Sequence, residues 1–99
     1  RAIPFRNMIY FGDGETDIPC MKLIKEQGGH SIAVYKPGST KKKTAEKLIN
    51  ENRVNFVCPA DYSENKEMHN VVKIIIDKIK ADTDFVNLQE KHKTKAVKK

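Results

Sequence analysis

Short apolar runs alternate along the chain with stretches in which apolar residues recur every three or four positions. Asn7-Met8-Ile9-Tyr10-Phe11 is a continuous apolar run after its first residue and stops at Gly12. A run that short, aromatic and closed by glycine predicts a buried strand, of the kind covered on both faces in a parallel sheet. From Ile18 the period lengthens: Cys20, Leu23, Ile24 and Gln27 share one helical face. Asp17 is placed to cap that helix, Pro19 fits its first turn, and Gly28-Gly29 offers a left-handed stop. The alternation then recurs. His30 to Tyr35 reads as a second strand ended by Lys36-Pro37-Gly38, followed by a helix from Thr44 to Asn52 with Ala45, Leu48 and Ile49 inward and Ser39 or Thr40 as its cap. Val54 to Cys58 reads as a third strand stopped by Pro59. A last helix is predicted from about Lys66 to Lys80, its apolar face made of Met68, Val71, Val72, Ile75, Ile76 and Ile79. Beyond it, Phe85, Val86 and Leu88 suggest a docked turn or short helix.

Three βα units joined by short connections predict an α/β fold with a parallel sheet and right-handed crossovers. A sheet of three strands leaves an open edge with unpaired backbone groups. The first strand is the most apolar, so its missing neighbour is expected upstream, in an N-terminal segment preceding Arg1; the alternative is a second copy pairing edge to edge.

The 99 residues allow one domain, and an apolar share of 38% suffices for a small core. No apolar run approaches the length of a membrane-spanning helix, and no signal peptide is visible. The opening Arg1-Ala2-Ile3-Pro4, without a start Met, reads as a piece of a longer protein. Cys20 and Cys58 lie in apolar sequence and read as reduced core thiols, which points to a cytoplasmic setting. The net charge of +6 raises the question of nucleic acid, but residues 91–99 hold five lysines and no acid. The preceding 90 residues carry 14 basic against 13 acidic groups. The basic excess therefore belongs to a lysine-rich tail, expected to be disordered, and not to the domain at 1–90. Lys41-Lys42-Lys43 is interleaved with no aromatics and reads as solvated, so nucleic acid is disfavoured as a partner.

Candidate chemistry concentrates in the loop after the first strand, because sites in open α/β sheets form at the carboxyl ends of strands. Asp13, Glu15 and Asp17 stand there within five residues. Carboxylates so close repel unless a cation or solvent screens them. Gly12 and Gly14 would let the backbone turn so that Asp13 and Asp17 converge, a hard-oxygen pair suited to Mg²⁺. Glu15 reads as solvated. An EF-hand loop fails because Ile18 and Ile24 stand where Gly and Glu belong. A dinucleotide fingerprint fails because Asp17 replaces its third glycine, and Lys36 to Lys41 lacks the paired glycines of a P-loop.

Met8 to Met21, with its strand followed by Gly12-Asp13-Gly14-Glu15-Thr16-Asp17 and a helix, resembles the fourth motif of the haloacid dehalogenase-like (HAD) phosphohydrolase superfamily. The strand Ser31-Ile32-Ala33-Val34 after Gly28-Gly29 is similar to the next strand of that family. The resemblance spans about residues 5 to 80. It implies a Rossmann-like three-layer α/β/α core and Mg²⁺-dependent phosphoryl transfer from a small phosphorylated substrate. It also implies that Asp13 binds the metal directly or through water, and that Asp17 holds a metal-bound water or binds the metal itself. Gly12, Gly14 and Thr16 become loop positions near substrate; Thr16 stands where many members acting on small phosphates carry Asn. The family's nucleophile motif, Asp-x-Asp, is absent: Asp82-Thr83-Asp84 follows no apolar strand and is rejected. These residues alone are therefore expected to be inactive, as the C-terminal part of a phosphatase core. The alternative is a non-catalytic flavodoxin- or receiver-like module. Among other residues, His30 reads as a surface or edge residue, His69 and His92 suggest no catalysis, Lys36 reads as solvated, and Asp61 as ordering its loop.

Overall fold

The computed structural model describes residues 3–97; Arg1, Ala2, Lys98 and Lys99 lie outside the described residues. Its order is a 3₁₀ turn at Phe5–Asn7, strand β1 (Ile9–Gly12), a 3₁₀ turn at Glu15–Asp17, helix α1 (Ile18–Glu26), β2 (His30–Tyr35), α2 (Lys41–Asn50), β3 (Phe56–Pro59) and α3 (Glu67–Val97). The strands form one parallel sheet in the order β1-β2-β3, with Phe11 beside Ile32 and Val34 beside Cys58. This is the α/β architecture that the alternation of runs predicts.

Strand alternation divides the core into two layers. Tyr10, Ala33, Tyr35 and Val57 face one side, where Met21 of α1 and Ala45 and Leu48 of α2 cover them. Ile9, Ile32, Val34, Phe56 and Cys58 face the other, where Met68, Val71, Val72, Ile75 and Ile79 of α3 cover them. The result is three layers, α/β/α. β2 is the most buried strand, and not β1 as its apolar run suggests, because only the central strand has a neighbour on each side. β1 lies at an edge and leaves Phe11 40% exposed.

Both connecting helices end in the same device. In α1 the N–H of Gly29 bonds the Ile24 carbonyl and that of Gly28 the Lys25 carbonyl, with Gly28 at φ +92°. In α2 Arg53 bonds Leu48 and Asn52 bonds Ile49, with Asn52 at φ +62°. Each is a Schellman closure, made by glycine in one case and by asparagine in the other. Of the two residues expected to cap α2, Ser39 and not Thr40 makes the bond, its Oγ accepting the Lys41 N–H.

No buried side-chain polar atom among the described residues lacks a hydrogen-bond partner. Ser31, fully buried, donates its hydroxyl to the Met21 carbonyl at 2.6 Å and its N–H to Asn55 Oδ1 at 2.7 Å. His30 is buried, not at the surface: its ring nitrogen meets the Arg6 carbonyl at 3.0 Å and its N–H bonds the Met8 carbonyl, tying the N-terminal turn to β2.

The phase of α1 differs by about one residue from the one the pattern suggests, whereas α2 buries Ala45 and Leu48 and α3 buries Met68 and Ile75 as expected. Met21 is the fully buried residue of α1, whereas Cys20 is exposed and Leu23 is 51% exposed. Gly12 is the cause. A Cβ at Gly12 would lie 2.6 Å from Met21 Sδ and 2.8 Å from Asp17 Cβ, so its hydrogen makes the slot that Met21 fills. Gly12 thus serves close packing and not a sharp turn, and Gly14 is extended with open space around it. Ile49 and Ile76 likewise face outward.

The largest departure is at the C-terminal end. α3 continues unbroken through Ala81 and the lysine-rich segment to Val97, about 46 Å at 1.5 Å per residue. Residues 91–97 are helical and not a disordered tail. No glycine or proline occurs after Pro59 to stop the helix. Lys78 pairs with Asp82 at 2.6 Å and Lys93 with Glu90 at 3.5 Å, and lysines near its C-terminal end complement the helix dipole. The molecule is accordingly long, 63 × 29 × 24 Å.

The two loop glycines should separate in a denaturant titration. Gly12→Ala is expected to cost about 1–3 kcal/mol through overpacking against Met21 and Asp17. Gly14→Ala should change stability by less than about 1 kcal/mol, toward stabilisation.

Candidate acidic site at the end of the first strand

The loop after β1 is positioned by the same close approach. Because α1 can lie against Gly12, the 3₁₀ turn Glu15–Asp17 folds back over the end of the strand, its first bond running from the Asp17 N–H to the Gly14 carbonyl. Asp17 then turns its carboxylate inward. Its Oδ1 accepts the Tyr10 hydroxyl at 3.0 Å and its Oδ2 accepts the Asp13 N–H at 3.2 Å. It makes no capping bond to α1, contrary to the expectation from its place before Pro19.

Asp13 and Asp17 therefore do come together, but through the Asp13 backbone. The Asp13 side chain is exposed and lines a cleft of about 130 Å³ at the carboxyl ends of β1 and β2. Gly12, Gly14 and Glu15 complete that wall, and Lys41 and Thr44 from the first turns of α2 stand across from it. Glu15, Lys41 and Thr44 are residues that sequence reasoning did not assign to the site. The short Lys36–Thr40 turn, which delivers the start of α2 to the end of β2, was the signal for the last two. Thr16 is exposed and does not line the cleft.

The electrostatics follow from the geometry. No cation lies within salt-bridge distance of Asp13 or Asp17 among the described residues. The Asp17 carboxylate, followed by desolvation, pushes the Tyr10 phenol up from 10.0 to about 12. At the end of β3, Asp61 Oδ1 accepts the Ser63 N–H at 3.0 Å; interaction with the Ser63 side chain first, and with that N–H second, holds its carboxyl below the usual range. Asp61 orders its loop, as expected. Cys58 is buried and its thiol is pushed up by desolvation, then by Glu67. Lys36 is exposed, as are His69 and His92 on α3.

The donor set for a metal is lean. No cluster of three or more His, Cys, Asp or Glu side chains arranged to hold a metal occurs among the described residues. Mg²⁺ commonly takes one or two protein carboxylates and fills its octahedron with water and phosphate oxygens. Asp13 fits the direct role; Asp17, already accepting two bonds, fits the role of an outer carboxylate that orients its neighbour. A second, larger cavity of about 620 Å³ lies on the opposite face between Phe11, Tyr62, Met68, Val72 and Ile76. It is mainly apolar, with His69, Lys73 and Asp77 also in its lining.

An alkaline absorbance titration checks the carboxylate–phenol bond. One of the three tyrosines should ionise near pH 12, and Asp17→Asn should return it toward 10.0. Because the folded-state value is the higher one, the bond's contribution to stability is present below pH 10.0 and is lost as pH rises through about 12. Tyr10→Phe should remove that alkaline dependence.

No helix of the described residues is long and apolar enough to cross a membrane. No family model matches the chain, and no solved structure matches it. A protein of Borreliella burgdorferi described only as uncharacterized is 33% identical over 73 residues, covering 71% of this chain and 25% of its own length. The chain thus spans about a quarter of the curated relative it matches.

Proposed function

We propose that this chain is the C-terminal part of a Mg²⁺-dependent HAD-like phosphohydrolase core and supplies the acidic half of its metal site. The observation that carries the reading is the Asp13–Asp17 arrangement. An inward carboxylate braced by Tyr10 and by a backbone N–H leaves Asp13 free at a cleft mouth, at the carboxyl end of a parallel sheet. A bound divalent ion would offset the charge of a phosphorylated substrate and align it for attack. In this chain, Asp13 would hold that ion, and Asp17 would fix the loop that aims Asp13. A cleft of about 130 Å³ is far below the ~300–1,000 Å³ of pockets for drug-sized ligands, and suits a small phosphoryl group.

The aspartate nucleophile would come from sequence preceding β1, whose outer edge is open to a further strand. Two free cysteines are compatible with a cytoplasmic setting. The rival reading, a non-catalytic flavodoxin- or receiver-like module, shares the sheet but requires no metal at Asp13.

A Mg²⁺ titration followed by amide NMR shifts separates the two. Weak binding centred on residues 12–17 is expected for the unmodified chain, with loss in Asp13→Asn and retention in Glu15→Gln. In a longer chain bearing an upstream Asp-x-Asp strand, hydrolysis of p-nitrophenyl phosphate should require Mg²⁺. There, Asp17→Asn should lower activity about 10- to 100-fold. Identical Mg²⁺ response in the Asp13→Asn variant, or a parent sequence without that upstream motif, would refute the phosphohydrolase reading.

A further inference from the structure

Helix α2 opens with Lys41-Lys42-Lys43, a run that reads as solvated in the sequence, yet the three lysines do not share one environment. Lys41 and Thr44 fall within about 100° of the helix circumference that also holds Ala45 and Leu48, the two residues α2 buries against the sheet. Lys43 falls on the far side, about 200° from Lys41. The core-facing stripe of α2 therefore begins, at its N-terminal end, with an ammonium and a hydroxyl. Both line the cleft of about 130 Å³ that Asp13 and Glu15 of the β1 loop also line. No salt bridge among the described residues engages Lys41. Lys47 and Arg53, which do not line this cleft, each pair with Glu51.

Charge decides what the cleft accepts. Asp13, Glu15 and Asp17 put three carboxylates in one loop, and Lys41 is the only cation in the lining among the described residues. By itself, such a cleft repels an anion. A divalent ion on Asp13 offsets two of the three negative charges, and Lys41 offsets the third. Only with both present does an anion enter without net repulsion. A phosphoryl group can give one oxygen to the metal and another to an ammonium, and lysine binds phosphate as a point charge.

We propose, on the basis of the Mg²⁺ reading of Asp13, that Lys41 is a substrate-binding residue. Its ammonium holds a phosphoryl oxygen across the cleft from the metal, and Thr44 adds a hydroxyl donor. Phosphate and Mg²⁺ then bind cooperatively, each tightening the other by the same factor.

Inorganic phosphate titrated into the unmodified chain with Mg²⁺ in excess, followed by amide NMR shifts, tests this. Residues 12–15 and 41–44 should respond to phosphate when Mg²⁺ is present and not when it is absent. Lys41→Gln should weaken phosphate binding roughly threefold to tenfold, the loss of one exposed charge-assisted bond. It should not weaken Mg²⁺ binding in the absence of phosphate. Lys41→Arg should retain phosphate, and Lys43→Gln should leave its affinity unchanged. The amide spectrum itself shows that each variant folds. Phosphate binding unaltered in Lys41→Gln, equally weakened in Lys43→Gln, or equally strong without Mg²⁺ would overturn the role of Lys41 and leave the metal reading standing. So would Mg²⁺ binding with no phosphate response. Absence of any Mg²⁺ response at residues 12–17 would instead remove the metal reading, and the role of Lys41 with it.

Discussion

The close approach of α1 to Gly12 decides much of what surrounds it. Without a Cβ at Gly12, Met21 enters the slot beside β1 and sets the rotation of the whole helix. The same approach brings Asp17 over the strand end, within reach of both Tyr10 and the Asp13 N–H. The packing of an apolar sulfur and the orientation of a carboxylate thus depend on a single missing methyl group. In a close-packed interior one methylene is enough to shift neighbours, so the acidic loop is coupled to the core.

The two faces of the sheet solve different problems. On the α1/α2 face, Met21, Ala45, Leu48 and Val54 pack with Ala33, Tyr10 and Tyr35, and Ser31 and Asn55 add hydrogen bonds. Those bonds matter because an unpaired buried donor or acceptor would cost about 1–3 kcal/mol, and no buried side-chain polar atom among the described residues is left unpaired. On the α3 face one long helix covers the sheet with its first half and leaves the apolar groove beside Phe11 open. Phe11, on the edge strand β1, lines that groove.

The acidic loop illustrates a division of labour between two carboxylates of the same sequence motif. Asp17 spends both oxygens on local donors and so acquires a fixed orientation, at the expense of freedom to ligate. Asp13 gives only its backbone to that network and keeps its side chain at the cleft. Lys41 and Thr44 place a cation and a hydroxyl across from it, in a volume that accommodates little more than one small anion.

Element order and type were written in the chain itself. Apolar runs of four to six residues closed by Gly12, Lys36-Pro37-Gly38 and Pro59 specify strands, and Gly28 specifies the end of α1, because these are local consequences of side-chain period and backbone sterics. The acids at Asp13, Glu15 and Asp17 were equally legible as a cluster. Which of them turns inward was not, since that follows from Tyr10 and Gly12 on a neighbouring element. Cys20 and Leu23 fit an apolar face as well as Met21 does on period alone; contact with the sheet chose Met21. His30 gave no sign of burial, because its partner is a carbonyl of Arg6, distant in the chain. The polar stretch around Asp82 reads as a helix end. It becomes the middle of α3 because i to i+4 pairing and the absence of breakers sustain the helix where core contact no longer does. Period and turn chemistry act within a few residues and fix the elements; helix rotation, carboxylate orientation and burial are set by atoms far apart in sequence, and only the tertiary structure brings those together.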